Sequence, residues 1–139
     1  NIAISFAKIA RILKLKFTLC CPKKDSKPLA EIINDKTGLS LTADTNEAFY
    51  NADVIYTDVW TSMGMEKENA IRLKDFKKYQ VTKILMEKTS NKSVFMHCLP
   101  AHIGEEVTSD VINSDKSIVY QQAENKLYSA LAIIDFFLS

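Results

Sequence analysis

The sequence lacks a strong charge imbalance, a long apolar run, a cysteine pattern and an initiator methionine, and each gap narrows what the chain can be. Lys and Arg number 18 against 17 Asp and Glu, leaving a formal charge of +1. No global field points to nucleic acid or to an anionic membrane, so any partner must be recognised locally. The longest apolar stretches fall well short of the ~20 residues that a membrane-spanning helix needs. No charged n-region, apolar h-region and cleavage site open the chain. It reads as a soluble protein, with the cytoplasm as its expected compartment.

The three cysteines, Cys20, Cys21 and Cys98, are an odd number without C-x-x-C spacing, which suits neither a disulfide framework nor a zinc ribbon. Neither Cys20/Cys21 nor His97/His102 makes a ligand set of recognised spacing, so no metal is expected. Internal repeats and low-complexity segments are also missing. Asn1 stands where a methionine would begin a gene product, and helical periodicity starts at once, so a fragment of a longer protein is the expectation.

What is present is enough for one core: 139 residues, 47% of them hydrophobic, the size of a single domain. In "NIAISFAKIARILK", Ile2, Phe6, Ile9 and Leu13 fall on one helical face and Lys8, Arg11 and Lys14 on another, giving a helix over residues 2–14. "KFTLCCP" reads as a short strand ended by Pro22. Ser26 is placed to cap a helix with Pro28 in its first turn and Leu29, Ile32 and Ile33 on its apolar face. "LSLTA" is a second strand, and Asp44 with Glu47 forms a capping box for a brief helix through Tyr50. A third strand covers Val54–Thr57, followed by a turn at "SMG" and a charged helix in "EKENAIRLKDF". "YQVTKILMEK" predicts a helix, "SVFMH" a fourth strand, "GEEVTSDVI" a helix, "SIVY" a fifth strand, and "QAENKLYSALAIIDFFL" the last helix.

Strands alternating with helical crossovers predict an α/β fold: a doubly wound, Rossmann-like parallel sheet with helices on both faces. Such a unit usually starts on a strand whose carboxyl end carries the first ligand loop. Here the first element is already a helix, so a strand before Asn1 is expected to be missing from the chain. The last helix is apolar around most of its circumference, which predicts an exposed patch awaiting a partner.

Ligands of open parallel sheets gather at the carboxyl ends of the strands, and the unusual residues collect there. Asp58, Trp60, Ser62 and Met63 follow the third strand; His97, Cys98, Leu99 and Pro100 follow the fourth; Gln121, Glu124, Asn125 and Lys126 follow the expected fifth. Taken singly they stay ambiguous. Cys98 is a buried small hydrophobe or a thiol at a site, and adjacent residues of an extended segment point apart, which argues against a His97–Cys98 dyad. Asp58 caps a turn or binds a cation. Lys126 is solvated or sits near an anionic reactant. In "DVWTSMG" a carboxylate, a hydroxyl and a glycine turn lie close enough to hold an amino acid's ammonium and carboxylate.

The strings "ADVIYTDVWTSMGMEKE", "YQVT", "FMHCLPAHIGEEVTSDVI" and "AEN" resemble, in order and over nearly the whole chain, the second half of the ornithine carbamoyltransferases. "HCLP" and "DVWTSMG" together are specific to that family. The resemblance implies that residues 1–139 are an ornithine-binding domain, incomplete at its amino terminus. It implies transfer of a carbamoyl group from carbamoyl phosphate to the δ-amine of L-ornithine, giving citrulline and phosphate, with no metal and no organic cofactor. It assigns Asn1, Asp58, Ser62 and Met63 to ornithine, and Cys98, Leu99 and Lys126 to the carbamoyl phosphate side, with Cys98 and Asp58 catalytic. Pro100 would fix the loop that aims the Leu99 carbonyl.

Two positions depart from the family. Lys126 stands where the family has an arginine, whose planar fork lysine does not supply, and Ile103 replaces a residue often basic in bacterial members. The family's phosphate-gripping amino-terminal domain, its expected partner, is not in these residues, nor are most contacts of the family's usual homotrimer. The chain alone is therefore expected to be inactive. Two other readings are a non-catalytic amino-acid-binding or regulatory module, and transfer to another amine such as putrescine or an acylated ornithine; the intact "SMG" favours free ornithine.

Overall fold

A computed structural model of the chain describes residues 2–30, 38–61 and 69–139. Helix α1 (Ile2–Ile12) forms as its periodicity predicts, but the face it buries is centred on Ala7 and Ala10. These small side chains let the helix lie close against Leu39 and Phe17, while Ile9 and Leu13 remain exposed. Strand β1 (Phe17–Cys20) follows, then a 3-10 turn (Lys23–Asp25) and α2 (Lys27–Ala30). Ser26 starts α2 with its carbonyl, which accepts the Ala30 N–H, while its hydroxyl turns back to the Lys23 carbonyl at 2.6 Å. Ile32 and Ile33, expected on this helix, lie outside the described residues.

Strand β2 (Leu39–Thr42) leads into α3 (Thr45–Phe49). Asp44 caps α3 by accepting the Asn46 N–H at 2.8 Å. The expected capping box is closed through an intermediary: Thr42 Oγ1 accepts the Asp44 N–H at 3.1 Å and donates to Glu47 Oε2 at 2.5 Å. Strand β3 (Val54–Thr57), α4 (Asn69–Phe76), a 3-10 turn (Lys77–Tyr79), α5 (Lys83–Met86) and β4 (Val94–His97) come next. The Thr82 hydroxyl caps α5 through the Leu85 N–H. The turn expected at "SMG" lies outside the described residues.

Among the described residues the strands form two parallel pairs. β1 lies beside β2 with Phe17 opposite Leu39, and β3 beside β4 with Val54 opposite Val94 and Thr57 opposite His97. The main core surrounds the second pair: Phe49, Ile55, Val81, Met86, Phe95, Val107, Val111, Ile112 and Val119. Phe6 of α1 meets Tyr56 of β3 edge-on, with ring centroids 4.5 Å apart.

Two expected elements differ. "GEEVTSDVI" is helical only as α6 (Ser109–Ile112). Before it, Gly104 adopts φ 96°, its N–H bonds the Val107 carbonyl, and Val107 bridges Val81. The positive φ of Gly104 and the bridge of Val107 to Val81 are incompatible with one helix through residues 104–112, and Glu106 and Val107 turn inward with no exposed surface. "SIVY" is not a fifth strand. Ser117 makes a single parallel bridge to Phe95, and the chain turns directly into α7 (Val119–Leu138). Further along β4, the His97 N–H is taken by the side-chain carbonyl of Gln122 at 3.0 Å, one helical turn past Ile118. A side chain on the helix thus does at this position what a fifth strand's backbone would have done.

Among the described residues no helix is long and apolar enough to cross a membrane. The apolar end of α7 is open as expected: Phe136, Phe137 and Leu138 are 77%, 79% and 83% exposed.

Candidate functional site

The register of β3 against β4 builds the centre of the site. Thr57 lies opposite His97, so the next residue of each strand, Asp58 and Cys98, emerge side by side at the carboxyl end. Cys98 Sγ donates to Asp58 Oδ1 at 2.8 Å, and the same oxygen accepts the Val59 N–H at 2.8 Å. The segment after Asp58 is anchored by Trp60, which is buried, faces Phe76 at 5.9 Å and offers its carbonyl to Arg72 Nε at 3.0 Å. Asp58 is therefore held on a tethered chain beside the thiol.

Burial, then the hydrogen bond and the charge of Asp58, push the Cys98 thiol up from 9.0 to about 11. At neutral pH the group is a thiol donor, not a thiolate nucleophile. Tyr56, on the same strand two residues before Asp58, is pushed to about 12 by burial and by its nearness to Cys98. A carboxylate, a thiol and a phenol thus form a polar cluster that carries its negative charge on Asp58 and keeps Cys98 and Tyr56 protonated. Such a cluster attracts an ammonium and offers neutral donors beside it.

Helix α7 closes the other side. Gln122 and Lys126 are four residues apart and share a face. Gln122 receives the His97 N–H and donates to the Tyr56 hydroxyl at 3.3 Å; Lys126 Nζ donates to the Cys98 carbonyl at 2.7 Å. Leu99 lies in the left-handed region at φ 51°, and the Leu99–Pro100 peptide is cis. The Leu99 N–H bonds His97 Nδ1 at 2.8 Å.

Of the residues expected at the site, Asp58, Cys98, Leu99 and Lys126 are brought together. Asn1, Ser62 and Met63 lie outside the described residues. Exposed Ile103 sits in the turn before Gly104, where it bridges Val107. His97 is not a base for Cys98: its ring is buried with Phe95 on the opposite face of β4 and bonds Glu106 Oε1 through Nε2 at 3.0 Å.

Sequence reasoning missed Tyr56, Gln122 and Glu106. Gln122 opens the expected last helix, but a strand over "SIVY" would leave β4 no need of a side-chain partner there; its spacing of four from Lys126 is the available signal. Among the described residues one acidic group resembles a metal set, His102, Glu105 and Glu106, with ligand atoms within 4.8 Å of one another. Glu106 Oε1 is already committed to His97 and to the His102 N–H at 2.6 Å.

The sequence matches the family described as aspartate/ornithine carbamoyltransferase, Asp/Orn binding domain, over residues 1–137. It is 49% identical over 115 residues to the ornithine carbamoyltransferase of Oceanobacillus iheyensis, covering 81% of this chain and 36% of that protein. The crystal structure of ornithine carbamoyltransferase from Thermus thermophilus superposes with a TM-score of 0.79 at 36% identity, covering 97% of this chain and 44% of that one. Acetylornithine transcarbamylase complexed with acetylcitrulline superposes at 0.75 with 30% identity, over 95% of this chain and 42% of that one. The chain spans less than half the length of these relatives. Parallel strand pairs flanked by helices, the Asp58–Cys98 junction between two strand ends, and a match over residues 1–137 lead to one assignment: this chain belongs to the aspartate/ornithine carbamoyltransferase family, as its Asp/Orn-binding domain with a Rossmann-like α/β fold.

Proposed function

We propose that the chain is the ornithine-binding part of an enzyme that carbamoylates the δ-amine of L-ornithine with carbamoyl phosphate. The observation that carries this reading is the Cys98 thiol donating to the Asp58 carboxylate where two parallel strands end. Asp58 draws in the δ-ammonium and holds its nitrogen beside Cys98. Once that nitrogen has lost a proton to solvent, its lone pair attacks the carbamoyl carbon; the bond from that carbon to the bridging oxygen of the mixed anhydride breaks, phosphate leaves with the electron pair, and the new C–N nitrogen gives its second proton to the departing phosphate. Holding the two reactants in line provides most of the acceleration such a step needs, so no covalent cysteine intermediate is required. The Leu99 carbonyl is assigned to the carbamoyl amide and Lys126 to its carbonyl oxygen. Asn1, Ser62 and Met63 are assigned to ornithine.

Phosphate binding and charge stabilisation in the leaving group need arginines and helix termini, and the family's loop for that purpose is not in these residues. The chain is accordingly assigned no turnover by itself and requires an amino-terminal carbamoyl-phosphate domain. A second reading, an acylated ornithine as the acceptor, is favoured by the likeness to the acetylornithine enzyme. The test is citrulline formation by this chain mixed with a separately made family amino-terminal domain, supplied with ornithine, N-acetylornithine or putrescine. Activity with ornithine, abolished by Asp58→Asn, is the expected result. A well-folded pair that turns over none of the three would overturn the carbamoyltransferase reading, and preference for N-acetylornithine would replace the acceptor.

A further inference from the structure

Behind the Cys98 loop lies a buried pair to which the transfer chemistry assigns no role. The side chains of His97 and Glu106 are both fully buried and meet at 3.0 Å. The backbone N–H of Leu99 points at His97 Nδ1, so that nitrogen carries no proton and the ring is neutral, with its hydrogen on Nε2. Nε2–H then donates to Glu106 Oε1, which also takes the His102 N–H. The backbone N–H of His97 is held by Gln122. One residue thereby ties together β4, the turn at 102–107, α7 and the loop it precedes.

Stability alone accounts poorly for this arrangement. Burying a carboxylate is costly even when it is paired, and an apolar pair of similar volume commonly serves a core as well or better. The cost here is not fully offset, because Glu106 Oε2 is buried with no hydrogen-bond partner among the described residues. Meanwhile Leu99 adopts φ 51°, a conformation unfavourable for a residue with a branched side chain. Its N–H bond to His97 is the hydrogen bond made by Leu99's own backbone in that conformation, beside the packing of its side chain on the core.

We infer that His97 and Glu106 are a positioning pair: Glu106 selects the Nε2–H tautomer, which leaves Nδ1 free to accept the Leu99 N–H and so sets the turn that aims Cys98 at Asp58 and the Leu99 carbonyl at the reactants. The inference rests on the Cys98 loop being the carbamoyl site, but the turn itself can be tested without substrate. His97 and Glu106 touch neither substrate in this scheme; they act through the loop.

The first measurement is nitrogen NMR of the chain labelled at histidine. A proton on Nε2 and none on Nδ1 of His97 is expected; a proton on Nδ1 would overturn the proposal. The second is the alkylation rate of Cys98 at pH 8, read by mass spectrometry on the tryptic fragment that begins at Ser93 and holds no other cysteine. With the thiol aimed at Asp58, the rate is expected to be about 100-fold below that of a free thiol. In His97→Asn the amide oxygen falls near the place of Nδ1, and the slow rate should persist. In His97→Gln and His97→Leu the Leu99 N–H loses its acceptor, and the rate should rise at least about tenfold. Val111→Ala, which weakens the same core away from the loop, should leave it unchanged. Equal slow rates in all three His97 variants, or a rise as large in Val111→Ala, would show a merely structural pair. Because no carbamoyl transfer enters either measurement, failure of the proposed reaction would leave these results standing, and the reverse.

Discussion

Phe95 and Phe136 offer a direct test of how the chain divides its apolar residues. Both lie in hydrophobic stretches of sequence, yet Phe95 has no exposed surface and Phe136 is 77% exposed. Truncating Phe95 to Ala removes a ring surrounded by the β3–β4 core and leaves a cavity, for which the expected cost is about 3–5 kcal/mol. Full burial of a Phe side chain is worth about 1.5–3 kcal/mol, and less than a quarter of that burial exists at Phe136. Removing the Phe136 ring therefore costs about 0.5 kcal/mol of burial, and the better helix propensity of alanine offsets a similar amount. Phe136→Ala should leave stability within about 0.5 kcal/mol of the parent. Urea unfolding followed by far-UV circular dichroism reads both, provided the slope with denaturant is unchanged so that midpoints can be compared. A loss above about 1.5 kcal/mol at Phe136, or below it at Phe95, would mean that the end of α7 is packed within this chain and that the division of the core is wrong.

Three further outcomes are expected. Stability should fall as pH rises from about 9 towards 12, because Cys98, Cys20 and Tyr56 hold their protons in the folded chain to about 11, 12 and 12, above their ordinary values of 9.0, 9.0 and 10.0. In that window the unfolded chain binds fewer protons, so raising pH favours unfolding; Cys98→Ser should flatten the part between 9 and 11, and an unchanged alkaline limb would refute the assignment. Gln122→Leu strands the buried-side N–H of His97 and should cost about 1–3 kcal/mol in the same urea assay, whereas Gln121→Leu, whose side chain has no bond to β4, should cost less. Lys126→Arg, tested in the reconstituted enzyme, should raise kcat with little change in KM for ornithine, since a planar fork polarises the carbamoyl oxygen better than a point charge; a lower kcat would show that the lysine contact with the Cys98 carbonyl matters more.

Much of this architecture is legible in the sequence because local and tertiary signals agree. Val54–Thr57 and the end of "SVFMH" are short, β-prone and bounded by breaking residues, and both strands form where expected. Asp44 needs only its own turn to cap α3. The readings that differ depend on contacts between distant residues. "SIVY" has the composition of a strand, yet Gln122 satisfies β4 from a helix, and no periodicity signals that exchange. "GEEVTSDVI" has helical spacing, yet Glu106 is drawn inward by His97, nine residues away. At the site, the pairing of Asp58 with Cys98 is expected from a resemblance; its geometry follows from the register of Thr57 against His97.

The length of α7 has a mechanical consequence. A helix of 20 residues is about 30 Å long, and its first two turns hold Gln122 and Lys126 against β4 while its bare phenylalanines stand at the far end. A rigid tilt of about 5° pivoting at Gln122 swings Leu138 by about 2 Å but shifts Lys126 by only about 0.5 Å. Whatever surface receives the far end can therefore settle over a couple of ångströms while the hydrogen bonds at the anchored end change by no more than about 0.5 Å. The rod isolates the site from the movements of its own tip.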